Sequence, residues 1–177
     1  MDAPQSTIDG LESRVAGRAA MALRRGFLLL LLVLVVAGLT GALGVLTATS
    51  TATTGGWTLS LSYPRIARAG LDTTWEVRVR HPGGFTDPIT LAVSSSYFDV
   101  FETQGFHPDV SSSTQDGKTL YLTFEPPPSG DTLVVDFDAY IQPSSQVGRD
   151  ATVAVVDHTA AGPVPLVSLD YHTWLVP

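Results

Sequence analysis

Residues 27–46 form one apolar run, FLLLLLVLVVAGLTGALGVL, that holds no charged residue and no proline. An α-helix rises about 1.5 Å per residue, so a run of this length reaches across a hydrocarbon core of about 30 Å. In lipid, a continuous helix satisfies its own backbone hydrogen bonds. The sequence therefore predicts one transmembrane helix at residues 27–46, preceded by a short tail, residues 1–26.

Charge is distributed unevenly on the two sides of this helix. Residues 1–25 hold four arginines and three acids, whereas residues 57–177 hold fourteen acids and six bases. Basic residues beside one end of a membrane helix favour the cytoplasm for that end. We therefore expect a single-pass plasma-membrane protein with its N-terminus in the cytoplasm and residues 57–177 outside. The acidic exterior argues against nucleic acid as a partner, because phosphates are bound by clustered Lys and Arg.

Cleavage of the apolar run as a signal peptide is the alternative to a membrane anchor. Ser50-Thr51-Ala52 offers small residues for a signal peptidase, but the apolar region of a signal peptide is shorter, about 7–15 residues. An uncleaved signal anchor is therefore the favoured interpretation. The chain has no cysteine, which excludes disulfides, thiolate metal ligands and a cysteine nucleophile.

The outer half of the apolar run is rich in small residues that lie four positions apart. Small residues at this spacing let a second helix approach closely, and packing drives helix association in lipid. We predict a helix-packing surface formed by Ala37, Gly38, Gly41, Ala42 and Gly44. It would contact a polytopic membrane protein or a second copy in a homodimer, although Gly and Ala are also common in membrane helices without such a role.

Residues 47–56, TATSTATTGG, have the composition of a flexible linker. From Trp57 onward, apolar and polar residues alternate with a period of two, and Gly- and Pro-rich turns separate the alternating stretches. Seven half-buried strands are predicted, at residues 57–63, 75–80, 89–93, 120–125, 133–141, 153–155 and 167–175. This pattern predicts an all-β domain over residues 57–177, an antiparallel immunoglobulin-like β-sandwich, with a closed barrel as its main rival.

Three segments carry a resemblance: ARAGLDTTWEVRVRHPGG at residues 67–84, PITLAVS at 88–94 and KTLYLTFEPPPSGDTLVVDFDAYI at 118–141. In this order they resemble bacterial extracytoplasmic immunoglobulin-like modules of the CARDB and DUF11 kind. The resemblance implies a spacer or binding domain and supplies no catalytic motif. The layout also resembles short actinobacterial membrane proteins, as does the scarcity of Lys and Asn, which is typical of a GC-rich genome.

No catalytic motif is present in the chain. There is no G-x-S-x-G, no H-E-x-x-H and no glycine-rich phosphate loop before a helix, so we predict no enzymatic activity and no cofactor. Asp136 and Asp138 lie on the same face of one strand, and we expect them to form ion pairs with Arg78 and Arg80. His158 and His172 could meet across the last hairpin, but we expect no metal site.

Two aromatic features are candidates for partner binding. The segment YFDVFETQGFH, residues 97–107, either extends the core or forms a protruding loop that binds a partner through Tyr97, Phe98, Phe101 and Phe106. Near the C-terminus, the strand phase turns Trp174 outward together with Asp170 and His172, unless a bulge reverses the phase.

These features predict a non-enzymatic, single-pass membrane accessory or interaction protein, whose partner is a polytopic membrane protein or membrane complex. The alternative is a cell-surface module that binds a ligand or polysaccharide, on a stacking platform formed by Trp174 and Tyr121. A secreted domain would result if the anchor were cleaved.

Overall fold

A computed structural model describes residues 17–39, 44–102, 105–145, 147–159 and 162–176, which fall into two compact units, Met1–Thr40 and Gly41–Pro177. The first contains one helix, α1 (Arg18–Leu39). The second, hereafter the β domain, contains the short helix α2 (Ser95–Phe98) and the strands β1 (Leu46–Thr54), β2 (Trp57–Arg68), β3 (Asp72–Arg80), β4 (Ile89–Ser94), β5 (Phe101–Glu102), β6 (Phe106–His107), β7 (Ser112–Asp116), β8 (Thr119–Phe124), β9 (Thr132–Ile141), β10 (Arg149–Thr159) and β11 (Gly162–Val176).

Helix α1 is 22 residues long, has no buried side chain and is long and apolar enough to cross a membrane. It begins nine residues earlier than the apolar run, because the strong helix formers of RAAMALRR precede Phe27. It ends at Leu39, so the prediction of a helix through residue 46 is wrong at the C-terminal end. Gly44 lies in a bend rather than on a helix, whereas Gly41 and Ala42 lie outside the described residues.

The Ser/Thr-rich segment predicted as a linker is a strand, β1, paired with β2 along its whole length. β-branched threonine suits an extended backbone, and the strand alternates exposed threonines with half-buried residues such as Ala48 and Ala52, which pack against the core. The hydroxyl of Thr51 hydrogen-bonds that of Ser60 across the pair, at 2.9 Å. The linker prediction failed because composition alone does not report such pairing.

The strands form one curled, mixed sheet of eleven strands, with the path β5-β9-β3-β2-β11-β10-β4-β8-β7; β1 pairs with β2, and β6 with β9. All pairs are antiparallel except β2 and β11, which run parallel where Trp174–Val176 meets Ile66–Arg68. The all-β prediction is confirmed. Each of the seven predicted strands overlaps an observed strand, and those missed are β1, the five-residue β7 and the two-residue β5 and β6.

A single apolar cluster fills the inside of the curled sheet. It takes Leu61 and Val77 from the β9-β3-β2 half and Leu91 and Val153 from the β10-β4-β8 half. The indole Nε1 of fully buried Trp75, on β3, donates a hydrogen bond of 3.2 Å to the Tyr171 hydroxyl on β11. With β11 counted in the β10-β4-β8 half, the two halves of the sheet are thus joined by the β2–β11 pair, by core packing and by a buried side-chain hydrogen bond.

The two ends of the β domain differ in what they carry. The chain enters at Leu46, opposite Ile66, and Trp174 lies opposite the same residue; we call this the entry end. The other end, which we call the tip, holds the β1–β2 turn at residues 55–56 and the β3–β4 loop at residues 81–88. The left-handed backbone at Gly55 and Gly56 (φ 57° and 85°) makes the tight β1–β2 turn possible.

Candidate functional site

The aromatic segment at residues 97–107 belongs to the core. Tyr97 and Phe101 are almost completely buried, while Phe98 and Phe106 are half-buried and pack edge-on against Trp75, with ring centroids 5.5 and 6.3 Å away. The interpretation as a protruding partner-binding loop is therefore wrong for these four rings. They cover the open edge of the β9-β3-β2 half, since β5 and β6 both pair with β9.

Two buried tyrosines, Tyr97 and Tyr171, have hydroxyl groups with raised pKa values, and their role is structural. Burial raises the pKa of Tyr97 well above its ordinary value, although the hydrogen bond to the Thr173 hydroxyl, at 3.0 Å, opposes the rise. Burial likewise raises the pKa of Tyr171. Both hydroxyls therefore stay neutral at physiological pH and act as hydrogen-bonding groups rather than as bases.

Trp174 is the exposed aromatic side chain that the strand phase predicts. Its side chain is 61% exposed, and its indole meets the imidazole of His172 edge-on, at 4.4 Å between ring centroids. His172 Nδ1 lies 2.7 Å from an Asp150 carboxylate oxygen, and the Thr152 hydroxyl donates a hydrogen bond of 2.6 Å to Asp170. The outer face of β10 and β11 thus presents a tryptophan beside a row of polar groups.

Within the described part of the chain, no third residue completes the Asp150–His172 pair as a catalytic triad. The other ring nitrogen of His172, Nε2, is enclosed and has no hydrogen-bond partner. A serine nucleophile would have to donate its proton to this nitrogen. His158 lies eight positions from Asp150 along β10, about 26 Å, so it cannot join His172 at a metal ion.

Tyr121 does not share a platform with Trp174. The pairing registers place Tyr121 in one row with Ala92, Ala154 and Ser168, six residues before Trp174 on β11. That separation is about 20 Å along the strand, with three strand spacings of about 4.8 Å across it. The predicted stacking platform of Trp174 and Tyr121 is therefore wrong.

On the charged outer face of β3 and β9, the arginines form ion pairs with other acids than the predicted Asp136 and Asp138. The two strands are neighbours, but Arg78 pairs with Glu76 at 2.5 Å and Arg80 pairs with Asp131 at 2.8 Å. The hydrogen bond from Arg78 holds the pKa of Glu76 below its ordinary value. Burial and the neighbouring Glu76 carboxylate raise the pKa of Asp136.

A cleft of about 330 Å³ opens at the tip, between the β3–β4 loop and the β10–β11 hairpin. Trp57, His81 and Phe85 stack along one wall, and Asp87 and Asp157 add carboxylates to the lining. Sequence reasoning missed this cleft, although the aromatic residues beside Gly55-Gly56 and Gly83-Gly84 were a usable signal. Among the described residues, no group of three His, Asp or Glu side chains converges as a metal site would require.

Comparison with known proteins adds little to this description. No family model and no curated protein matches the chain. Among solved structures, AvmM, which catalyses macrocyclization in alchivemycin A biosynthesis, is similar at 9% identity and a TM-score of 0.35, covering 74% of this chain and 90% of AvmM. A likeness this distant transfers neither fold nor activity.

Proposed function

We propose that the chain is a non-enzymatic, single-pass membrane accessory or interaction protein. The observation that carries the proposal is α1, a helix of 22 residues that is long and apolar enough to cross a membrane. An apolar helix of that length is stable when lipid or another membrane helix surrounds it. The arginines at its N-terminal side favour a cytoplasmic N-terminus and an extracytoplasmic β domain.

We further propose that the β domain is an immunoglobulin-like sandwich of the CARDB and DUF11 kind. Support comes from two antiparallel runs of strands, β2-β3-β9 and β11-β10-β4-β8, which are connected through the parallel β2–β11 pair and line one common core. Such modules act as spacers or binding domains. A binding role agrees with the lack of a catalytic motif in the sequence and with His172 Nε2, which contacts no nucleophile among the described residues.

The partner would be a polytopic membrane protein, contacted by the small-residue face of α1 that includes Ala37 and Gly38. The test is a pull-down of the tagged full-length chain from its native membrane in mild detergent, followed by mass spectrometry. We expect a stoichiometric polytopic partner that Gly38→Leu removes. Gly26→Leu, in the same helix but about 18 Å from Gly38 along the helix axis, is the matched control and should retain the partner.

A chain recovered alone, or a partner retained equally by both variants, would contradict the accessory role. The same preparation gives the mass of the mature chain. A chain that begins after residue 52 would identify the anchor as a cleaved signal peptide and the product as a secreted domain.

The second candidate is a surface module that binds polysaccharide, and the Trp174 surroundings favour it specifically. A half-exposed indole beside carboxylates and hydroxyls combines a stacking face with hydrogen-bonding groups, as sugar sites do. Under this alternative, Trp174→Ala abolishes retention on cell-wall polysaccharide, whereas Tyr121→Ala, some 20 Å along the strand direction, leaves it unchanged.

A further inference from the structure

Exposed large apolar side chains in the described part of the β domain concentrate at one end. Val164, on the β10–β11 hairpin, lies toward the tip and is 46% exposed. The other five form what we call the entry-end patch: Leu46, Leu71, Val147, Trp174 and Val176. A cluster of this kind on a soluble surface marks a contact with a partner or a membrane.

Backbone contacts place all five residues at the entry end of the β domain. Leu46 and Trp174 both lie opposite Ile66, and Val176 lies opposite Arg68. The Leu71 carbonyl accepts a hydrogen bond of 3.1 Å from the Ile141 amide, at the end of β9. Val147 precedes Gly148, whose backbone packs directly against Thr173 and Trp174.

Three arginines accompany the patch. Arg65 and Arg68 lie near the C-terminal end of β2, and Arg149, whose Nε is enclosed, begins β10 opposite Thr173. None of the three has an ion-pair partner among the described residues, whereas Arg78 and Arg80, elsewhere in the domain, are both paired. The acids at this end include Asp72, Glu102 and Asp150, so the patch is mixed in charge and not net basic.

We propose that the entry-end patch rests on the outer leaflet of the membrane, with Trp174 at the boundary between lipid headgroups and acyl chains. Tryptophan prefers that boundary because its ring is apolar and its N–H is polar. Arginine keeps its guanidinium at the phosphates while its methylene stem lies along apolar surface. The occupant is therefore a phospholipid surface rather than a protein or a sugar.

Chain connectivity supports a lipid surface as the occupant. Residues 40–45 are all that separates α1 from β1, so an extended connection spans at most about 25 Å. The chain leaves this connection at Leu46, which is itself a member of the patch. The inference rests on the proposed membrane anchorage of α1.

The test uses tryptophan emission from the full-length chain reconstituted in vesicles of phosphatidylcholine brominated near the headgroup end of the acyl chains. The chain has three tryptophans: Trp75 is fully buried, and Trp57 is at the tip. We expect brominated lipid to quench part of the emission and Trp174→Phe to remove most of that quenching. Leu71→Ser with Val147→Ser should lower it at least twofold, whereas the matched control Val164→Ser should leave it unchanged.

Several outcomes would overturn the inference. Trp174 emission could be quenched by aqueous iodide and unaffected by brominated lipid, or be shielded from iodide by soluble cell-wall oligosaccharide. Flotation of the vesicles after alkaline extraction distinguishes failure of the lipid-contact proposal from failure of the proposed α1 anchor. If the chain floats but brominated lipid does not quench its emission, the anchor is retained and the lipid contact is refuted. If the chain does not float, both proposals are refuted.

Discussion

Replacing Tyr171 by phenylalanine tests how the two halves of the sheet are held together. The Tyr171 hydroxyl accepts the hydrogen bond of the Trp75 indole at 3.2 Å, and Trp75 has no solvent exposure. Tyr171→Phe removes the acceptor and leaves a buried N–H without a partner. A buried unsatisfied donor costs about 1–3 kcal/mol. We therefore expect the free energy of unfolding to fall by about 2 kcal/mol.

Urea unfolding of the full-length chain in detergent, followed by tryptophan emission, measures this change. With a slope of about 2 kcal/mol per M urea, the midpoint should fall by about 1 M. Tyr121→Phe is the matched control, because Tyr121 is half-buried and its hydroxyl bonds to no described residue; its midpoint should shift little. If the two variants have equal midpoints, the buried Trp75–Tyr171 hydrogen bond does not join the halves as described.

The remaining predictions use the same urea assay. Gly148→Ala should cost about 3 kcal/mol, because a Cβ there would overlap the backbone carbonyl oxygen of Thr173, far inside the van der Waals contact distance; an unchanged midpoint would contradict that close approach. Phe101→Ala should cost about 3 kcal/mol if the segment is core, and almost nothing if it protrudes. Asp136→Asn should stabilise the chain by about 0.5 kcal/mol at pH 7. Because the pKa of Asp136 is raised, the contribution of Asp136 to stability falls as pH rises through the carboxyl range, so the gain from Asp136→Asn should vanish in acid.

Period-two alternation located the long, half-buried strands well, since it reports which side of a strand faces a core. It could not find β1, because the inward residues of that strand are Ala48, Ser50 and Ala52, which are too small to produce an apolar signal. The aromatic segment at residues 97–107 posed the opposite problem. Its rings were evident, but their burial depends on pairing of β5 and β6 with β9, which no local pattern encodes.

Site prediction failed where it required strand register. For Trp174 the sequence left an outward and a bulge-buried orientation open, and the side chain is exposed, as the uninterrupted phase of its strand requires. Its supposed partner Tyr121 lies on another strand, and only the registers of β8, β4, β10 and β11 give their separation. The entry-end patch depends on the same information, since its members come from four separate stretches of sequence.

Membrane topology is the central claim, and thiol labelling in intact cells tests it most directly. The natural chain has no cysteine, so Ser6→Cys in the tail and Thr114→Cys on exposed β7 each provide a unique thiol without background. We predict that a membrane-impermeant maleimide labels the thiol at position 114 in intact cells, and the thiol at position 6 only after lysis. Labelling in the opposite pattern would contradict the account, and so would recovery of the protein labelled at position 114 from the culture medium.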